Sequence, residues 1–241
     1  MTSFEELDYS ETPLGALELR RRRPPSMPDT WVYEVKLDDR FLMSSLNHAS
    51  EEALAEVGLA FLAEGHNAPS APWTVMIGGL GLGHTARAAL EDDRIGELEV
   101  HELLPAVIRW HESGLVPLGQ GLCEDSRCAL IEGDALETLA RGPEQQGTPT
   151  WDAVLIDIDD SPEHLLAEGH SEFYSDAGLG GLLASLKPGG IAAIWASLPV
   201  EGFDARVRQV FGNCVVHDAV FHNALLMEDE FNPIYLARRD D

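Results

Sequence analysis

The chain has few lysines and no long apolar run. Only Lys36 and Lys187 are lysines, and 16 basic residues stand against 42 acidic ones, for a formal net charge of −26. The electrostatic field of so negative a chain repels nucleic acid and anionic membranes, so we expect neither as a partner. No run approaches the roughly 20 apolar residues of a membrane helix. The acidic N-terminus lacks the basic flank and apolar centre of a signal peptide, which predicts a cytoplasmic protein.

Cysteine is equally scarce. Cys123, Cys128 and Cys214 form an odd number without the spacing of a metal site, which favours reduced thiols. The one basic cluster, residues 20–23, contains four arginines without interleaved aromatic residues. This is a weak nucleic-acid signal, and we interpret the cluster as a strand end and a turn. With 241 residues, 44% of them hydrophobic, the chain can bury one ordinary core.

Two patterns of secondary structure divide the chain. Residues 14–46 contain two extended stretches separated by "RPPSMPD", whose prolines exclude a helix, and predict a small β region. A helix follows, with Ser50 as its predicted N-cap. From Trp73 onward strands alternate with helices, which predicts an α/β fold with a mainly parallel sheet, helices on both faces and a C-terminal antiparallel hairpin. We therefore predict a β region over 1–47 and a Rossmann-like nucleoside-binding domain over 48–241.

Glycine is concentrated in "VMIGGLGLGHTA", where a predicted buried strand meets a predicted helix. Gly79, Gly81 and Gly83 lie at the carboxyl end of this strand, the edge at which such folds bind ligands. A glycine turn there exposes backbone N–H groups and a helix N-terminus. A dinucleotide fingerprint would read G-x-G-x-x-G, and here the last glycine comes one residue early. Alone, the loop also fits a tight strand–helix turn without a ligand.

Acidic residues follow the next predicted strands at the same edge. Glu102 lies 19 residues beyond Gly83, where a carboxylate can accept both ribose hydroxyls. Asp134 can accept a hydrogen bond from an exocyclic amine, while the N–H of Ala135 reaches a ring nitrogen. The fourth strand is followed by a third acidic group, Asp157, Asp159 and Asp160. Each of these residues alone is more often a cap or a solvated loop residue, but all of them at one edge form a more specific signal.

Five ordered motifs resemble the class I S-adenosylmethionine-dependent transferase fold: "VMIGGLGLG", "VHELLPAVI", "IEGDALETL", "WDAVLIDIDD" and "SEFYSDAGLGGLLASLKPGG". Within this fold, the chain is most similar to the spermidine synthase-like family, over roughly residues 73–200. The resemblance implies a co-substrate, S-adenosylmethionine or its decarboxylated form. It also implies the residues that bind it: Gly79, Gly81 and Gly83 for the methionine portion, Glu102 for the ribose, and Asp134 with Ala135 for the adenine.

Asp157 and Asp160 match the two aspartates of the family's D-x-x-D segment. The resemblance implies that the first helps to take the proton from the attacking amine and that the second binds the cationic substrate or the donor's amine. A sulfonium is already a strong electrophile, so the enzyme mainly aligns the nucleophile and accepts its proton. We therefore predict a transferase that moves an aminopropyl or related alkyl group to a small amine. Relatives are often dimers, which makes a homodimer compatible with the resemblance.

The family's polyamine-binding residues are missing here. Leu42 or Met43 stands where the family has a glutamine, and the following helix has no tyrosine. This leaves the donor and the acceptor open, and it leaves two alternatives: a methyltransferase that uses intact S-adenosylmethionine on a small molecule, and a non-catalytic nucleoside-binding protein.

A metal site is a further alternative. Oxygen ligands with a single nitrogen would suit magnesium, and one segment offers such a set: Asp157, Asp159, Asp160 and His164. Carboxylate clusters without a metal are commoner, so we predict none. Two other residues stay ambiguous. His84 could contact a ligand or face solvent, and Trp195 could border the pocket, although a core position is commoner for such an aromatic residue.

Overall fold

Two β-sheets organise the computed structural model, which describes residues 3–64, 68–142, 151–223 and 228–240. The smaller sheet is antiparallel, in the order β1 (Phe4–Thr12), β2 (Gly15–Arg22), β3 (Val32–Leu37) and β4 (Arg40–Ser44). The sequence pattern did not indicate β1, whose side chains are half-buried or exposed along its whole length. A cross-strand ion pair between Glu5 and Arg21, at 2.6 Å, links β1 to β2.

The arginine cluster belongs to this smaller sheet. Strand β2 ends at Arg22, as the interpretation of a strand end requires. The buried carboxylate of Glu34 on β3 pairs with Arg20 at 2.9 Å and with Arg22 at 2.5 Å. The positive charge of the cluster is thus largely neutralised within the fold.

The larger sheet has seven strands in the order β10-β11-β9-β8-β5-β6-β7, in which only β11 runs antiparallel to its neighbours. The order reverses between β8 and β5. The predicted α/β class and C-terminal hairpin are confirmed. The elements after the smaller sheet are α1 (Ala49–Glu64), β5 (Trp73–Gly78), α2 (His84–Ala89), β6 (Ile95–Glu102), α3 (Pro105–Glu112), α4 (Gly119–Glu124), β7 (Cys128–Glu132), α5 (Ala135–Arg141), β8 (Trp151–Ile156), a 3₁₀ helix (Glu168–Glu172), α6 (Asp176–Ser185), β9 (Leu186–Trp195), α7 (Phe203–Phe211), β10 (Val215–Asn223) and β11 (Glu228–Arg238).

Helices cover both faces of the larger sheet because successive strand residues point to opposite sides. Val75 and Ile77 of β5 pack in the cluster that contains α1 to α4, whereas Met76 packs in the cluster with α5, α6 and α7. The first cluster also contains Leu17 and Val35 of the smaller sheet, so one apolar core joins the two sheets. The domain division at 47/48 stays a prediction.

The start of helix α1 and the state of the cysteines can be compared with the sequence predictions. Helix α1 begins at Ala49, so the N-cap prediction for Ser50 is wrong, and Ser50 lies inside the first turn. The three cysteines are all free thiols. In the part of the chain that the structure describes, no helix has both the length and the apolarity needed to cross a bilayer.

Candidate active site

A first cleft lies at the carboxyl ends of four parallel strands, where the sequence predicted a ligand. It contains about 790 Å³ of empty space. Of the eight predicted site residues, seven line it: Gly79, Gly81, Glu102, Asp134, Ala135, Asp157 and Asp160. The eighth, Gly83, lines an adjoining second cleft instead.

The glycine loop follows β5 and runs against the loop after β8. Gly79 has φ +97°, and a Cβ at that position would lie 2.1 Å from the backbone oxygen of Asp157. Only glycine fits this conformation and this approach. Behind the loop, buried His111 has its Nε2 atom 2.9 Å from the carbonyl oxygen of Gly81. Burial lowers the pKa of His111, so we assign a neutral imidazole whose Nε2–H donates to that carbonyl.

Glu102 forms one wall of the first cleft and is fixed by the backbone. Its Oε2 accepts a hydrogen bond from the Leu80 N–H at 3.0 Å, and its Oε1 accepts one from the Leu104 N–H at 2.8 Å. Burial raises the pKa of Glu102, and these N–H groups oppose the rise. Each carboxylate oxygen retains a further lone pair, so the side chain can still accept hydrogen bonds from two hydroxyls.

A buried histidine that the sequence did not single out lies beside Asp134. His170 is 2% exposed and also lines the first cleft. Its Nδ1 is 2.9 Å from Oδ1 of Asp159, and Oδ2 of the same carboxylate accepts a hydrogen bond from the Tyr174 hydroxyl at 3.0 Å. Its Nε2 is 3.7 Å from Oδ2 of Asp134, an ion-pair separation too long for a hydrogen bond. Burial opposes the charge of His170, but the two aspartates outweigh it and raise the pKa to about 9.

Asp134 itself caps helix α5. Its Oδ1 accepts a hydrogen bond from the Glu137 N–H at 3.0 Å. Burial works against the charged form, but His170 and the helix N–H groups together lower the pKa of Asp134. The carboxylate is therefore ionised at the mouth of the cleft, with Oδ2 directed towards the histidine.

Asp157 stands where the first cleft meets the second, which contains about 1160 Å³ of empty space. Burial raises the pKa of Asp157, and a 2.7 Å hydrogen bond from the Thr85 hydroxyl to its Oδ2 opposes the rise. Asp160 also lines both clefts but is 55% exposed, and it lies 3.6 Å from Arg40. The two aspartates of the D-x-x-D segment therefore occupy different environments, one half-buried and the other exposed.

A second carboxyl group faces Asp157 from the first turn of α1. Glu51 lines the second cleft, and its Oε2 accepts a 3.1 Å hydrogen bond from the Ser50 hydroxyl. Burial and the charge of Asp157 raise the pKa of Glu51 to about 7. No local pattern indicates this role, because an acidic residue in a first helical turn is ordinary.

Leu42 and Met43 of β4 line both clefts. The stretch in which the sequence departs from the family's polyamine-binding pattern thus lies at the junction of the two cavities. Trp195 is partly buried: it packs against the core and also lines the second cleft. Its indole Nε1 has no hydrogen-bond partner among the described residues.

The aspartates and His164 do not assemble into the alternative metal site. Asp159 is bound to His170, and His164 contacts Ser161 at 3.2 Å. Across the described ranges, the ligand atoms of one other group lie within 4.8 Å of one another: His48, Glu52 and His84. The two imidazoles of that group stack with centroids 4.1 Å apart and planes 1° from parallel. Ring-nitrogen lone pairs lie in the ring plane, so they do not converge on one point, and we assign no metal ligands.

Comparison with known proteins agrees with this geometry. No protein-family model matches the sequence. A polyamine aminopropyltransferase of Sulfolobus acidocaldarius is 30% identical over 137 residues, which are 55% of this chain and 41% of that protein. The aligned segment thus spans about two fifths of the length of this curated relative.

Solved structures show the same fold. A spermidine synthase in complex with the transition-state analogue AdoDATO matches with a TM-score of 0.73 at 18% identity, covering 97% of this chain and 73% of that one. The spermidine synthase of Thermotoga maritima gives 0.70 at 18% identity, with 97% and 72% covered. Human methyltransferase-like protein 13 in complex with SAH gives 0.53 at 17% identity, with 79% and 80% covered. The predicted resemblance is confirmed: the chain is spermidine synthase-like in its sequence motifs and in its fold.

Proposed function

We propose that the chain is an aminopropyltransferase, which moves the 3-aminopropyl group of decarboxylated S-adenosylmethionine to a small cationic amine. One observation carries the proposal: the cleft lined by Glu102 and Asp134 shares Asp157 and Asp160 with a second cleft that is itself acidic. The similarity to a polyamine aminopropyltransferase and to a spermidine synthase bound to a transition-state analogue supports this reaction over the methyl-transfer alternative.

The residues of the first cleft fit the adenosine part of such a donor. Glu102 is held with free lone pairs at the cleft wall, which suits two ribose hydroxyls. Asp134 is ionised and half-buried, and it can accept a hydrogen bond from an exocyclic amine. The glycine loop packs closely against Met43, because a Cβ on Gly81 would lie 2.8 Å from the Met43 sulfur. The nucleoside would therefore lie along the strand ends, with its sulfur directed towards Asp157.

The charge of the junction favours the decarboxylated donor. Intact S-adenosylmethionine carries a carboxylate, which needs a cation or several N–H donors. Asp157 and Asp160 line both clefts, and Arg40, a cation that lines the first cleft, already lies 3.6 Å from Asp160. The decarboxylated donor instead ends in an ammonium group, which these aspartates can bind.

In this mechanism the acceptor ammonium loses a proton to a carboxylate, and its nitrogen then attacks the propyl carbon bound to sulfur. The C–N bond forms as the C–S bond breaks, the electron pair stays on sulfur, and neutral 5′-methylthioadenosine leaves. Asp157 is the base, because it lines both clefts and its partial burial raises its pKa. Glu102 and Asp134 hold the donor so that the attack is in line.

Product analysis tests the proposal directly. The protein is incubated with decarboxylated or intact S-adenosylmethionine and a panel of mono-, di- and triamines, and the nucleoside product is identified by mass spectrometry. We expect 5′-methylthioadenosine with the decarboxylated donor only. Asp157→Asn should reduce the rate by at least about a hundredfold, the usual scale of a lost general base, with donor binding retained. Asp204→Asn, a substitution on the exposed surface of α7, is the matched control and should leave the rate unchanged.

Two results would overturn this assignment. Release of S-adenosylhomocysteine with intact donor would identify a methyltransferase, whereas donor binding without turnover of any amine, insensitive to Asp157→Asn, would identify a binding protein. The cytoplasmic location and the homodimer remain predictions from the sequence.

A further inference from the structure

We propose that Glu51 is an acceptor-binding residue that forms, with Asp157, a carboxyl pair sharing one proton in the absence of acceptor. The inference rests on the proposed function and names the groups that recognise the amine. It assigns the second acidic residue of the acceptor site to helix α1, outside the D-x-x-D segment.

Both carboxyl groups line the second cleft. Glu51 comes from the first turn of α1, where Ser50 donates to its Oε2 at 3.1 Å. Asp157 comes from the end of β8, where Thr85 donates to its Oδ2 at 2.7 Å. Each carboxylate thus has a hydroxyl donor that fixes one oxygen, and both residues line the cavity.

Charged groups nearby do not neutralise this pair. His48, just before α1, pairs with Glu52 of α1 at 2.9 Å, and α2 adds His84, whose pKa is lowered to about 4 by burial and by His48. The loop after β8 adds Asp159 and Asp160, which are bound to His170 and Arg40 respectively. Strands β9 and β11 contribute the uncharged Trp195 and Asn232. Among the described residues that line this cleft there is no lysine or arginine to neutralise the pair.

Two carboxylates that line the same cleft and are partly shielded from bulk water cannot both ionise without a cost. In agreement, burial and Asp157 raise the pKa of Glu51 to about 7. An incoming ammonium removes that cost, so its binding displaces the shared proton. The fully ionised pair can then accept one proton from the ammonium, which frees the nitrogen lone pair for attack. Glu51 thereby supplies a negative charge to an acceptor site in which the family's glutamine and tyrosine are missing.

The test combines binding, turnover and direct titration. 1,4-Diaminobutane is titrated by calorimetry into the protein saturated with 5′-methylthioadenosine, at pH 6 to 8 and in two buffers of different ionisation enthalpy. We expect the wild type to release up to about one proton per diamine bound near pH 6, and Glu51→Gln to release almost none. Glu51→Gln should also lower kcat/KM for the amine by at least about tenfold, with methylthioadenosine affinity unchanged. The acid limb of the pH profile of kcat/KM should lie at lower pH in Glu51→Gln than in the wild type, because Asp157 then titrates alone.

Glu52→Gln is the matched control, since it removes the adjacent charge from the same helix turn without altering the cleft lining. It should keep the proton release and the kcat/KM of the wild type. Equal proton release in Glu51→Gln and wild type, or an unchanged pH profile, would overturn the inference.

A second measurement separates this inference from the proposed function. Carbon-13 NMR of protein labelled at glutamate side-chain carboxyls should show one resonance that titrates near pH 7 and disappears in Glu51→Gln. If that resonance is present but no amine binds or reacts, the aminopropyltransferase assignment fails while the carboxyl pair stands. If the enzyme is active and no such resonance exists, the carboxyl pair fails alone.

Discussion

The ion pair of His170 with Asp159 predicts a stability that depends on pH. Both side chains are buried, at 2% and 0% exposure, and their closest atoms lie 2.9 Å apart. Burial opposes the charge, yet the two neighbouring aspartates raise the pKa of His170 from 6.5 to about 9. At about 1.36 kcal/mol per pKa unit, this rise corresponds to about 3 kcal/mol of folding free energy.

The sign of the effect follows from linkage. The pKa is higher in the folded than in the unfolded chain, so the folded state binds more protons between pH 6.5 and about 9. The contribution is complete below pH 6.5 and is lost as the pH rises through about 9. Glutamine cannot carry this charge, so His170→Gln should remove the dependence.

Urea denaturation at intervals between pH 6 and 9.5 measures the effect as a difference between the two proteins. The excess free energy of unfolding of wild type over His170→Gln should shrink by about 3 kcal/mol from pH 6.5 to above pH 9. Taking the difference cancels other titrations common to both proteins. His217→Gln, an exposed substitution on β10, should show the pH dependence of the wild type. A difference that stays constant over this range would show that His170 is neutral in the folded protein, and the reasoning would fail.

Two further predictions concern the first cleft. Gly79→Ala should cost more than about 2 kcal/mol of unfolding free energy, because a Cβ there would lie 2.1 Å from a backbone oxygen at φ +97°. Gly121→Ala, in the middle of α4 with nothing within 4 Å, should instead stabilise by up to about 1 kcal/mol, and equal effects of the two substitutions in urea denaturation would contradict the packing argument. Glu102→Ala should weaken binding of 5′-methylthioadenosine, measured by calorimetry, at least about tenfold, since it removes the proposed ribose acceptor and releases two loop N–H groups. Unchanged affinity would show that the nucleoside does not bind at the end of β6.

The positions of the predicted cofactor residues could be predicted from the order of the strands along the chain. Parallel strands end at a common edge, so a glycine loop, Glu102, Asp134 and Asp157 at successive strand ends had to share one cavity. The rule needs only the strand boundaries, which the apolar runs define well. The roles of these residues do not follow from the same rule, because position at the edge does not distinguish Asp157, which is half-buried, from Asp160, which is 55% exposed.

Site residues whose position depends on tertiary packing could not be predicted from the sequence. Glu51 and His170 enter the site because a helix and a 3₁₀ segment fold back over the strand ends, and nothing local marks them. Helix α7 was also missed, although its buried residues Phe203, Val207 and Phe211 recur at intervals of four, a helical spacing that could have revealed it. Strand β1 carries no such signal, since its side chains are at most half-buried.

Met43 separates the two clefts and comes from the smaller sheet, whereas every proposed nucleoside ligand comes from the larger one. Selection could therefore exchange side chains on the β3–β4 hairpin, and so retune which nucleophile reaches the sulfur, without disturbing the machinery that holds the adenosine. Leu42 or Met43 stands where the family has a glutamine. Such a difference is expected if the preference for the acceptor changed while the donor stayed the same.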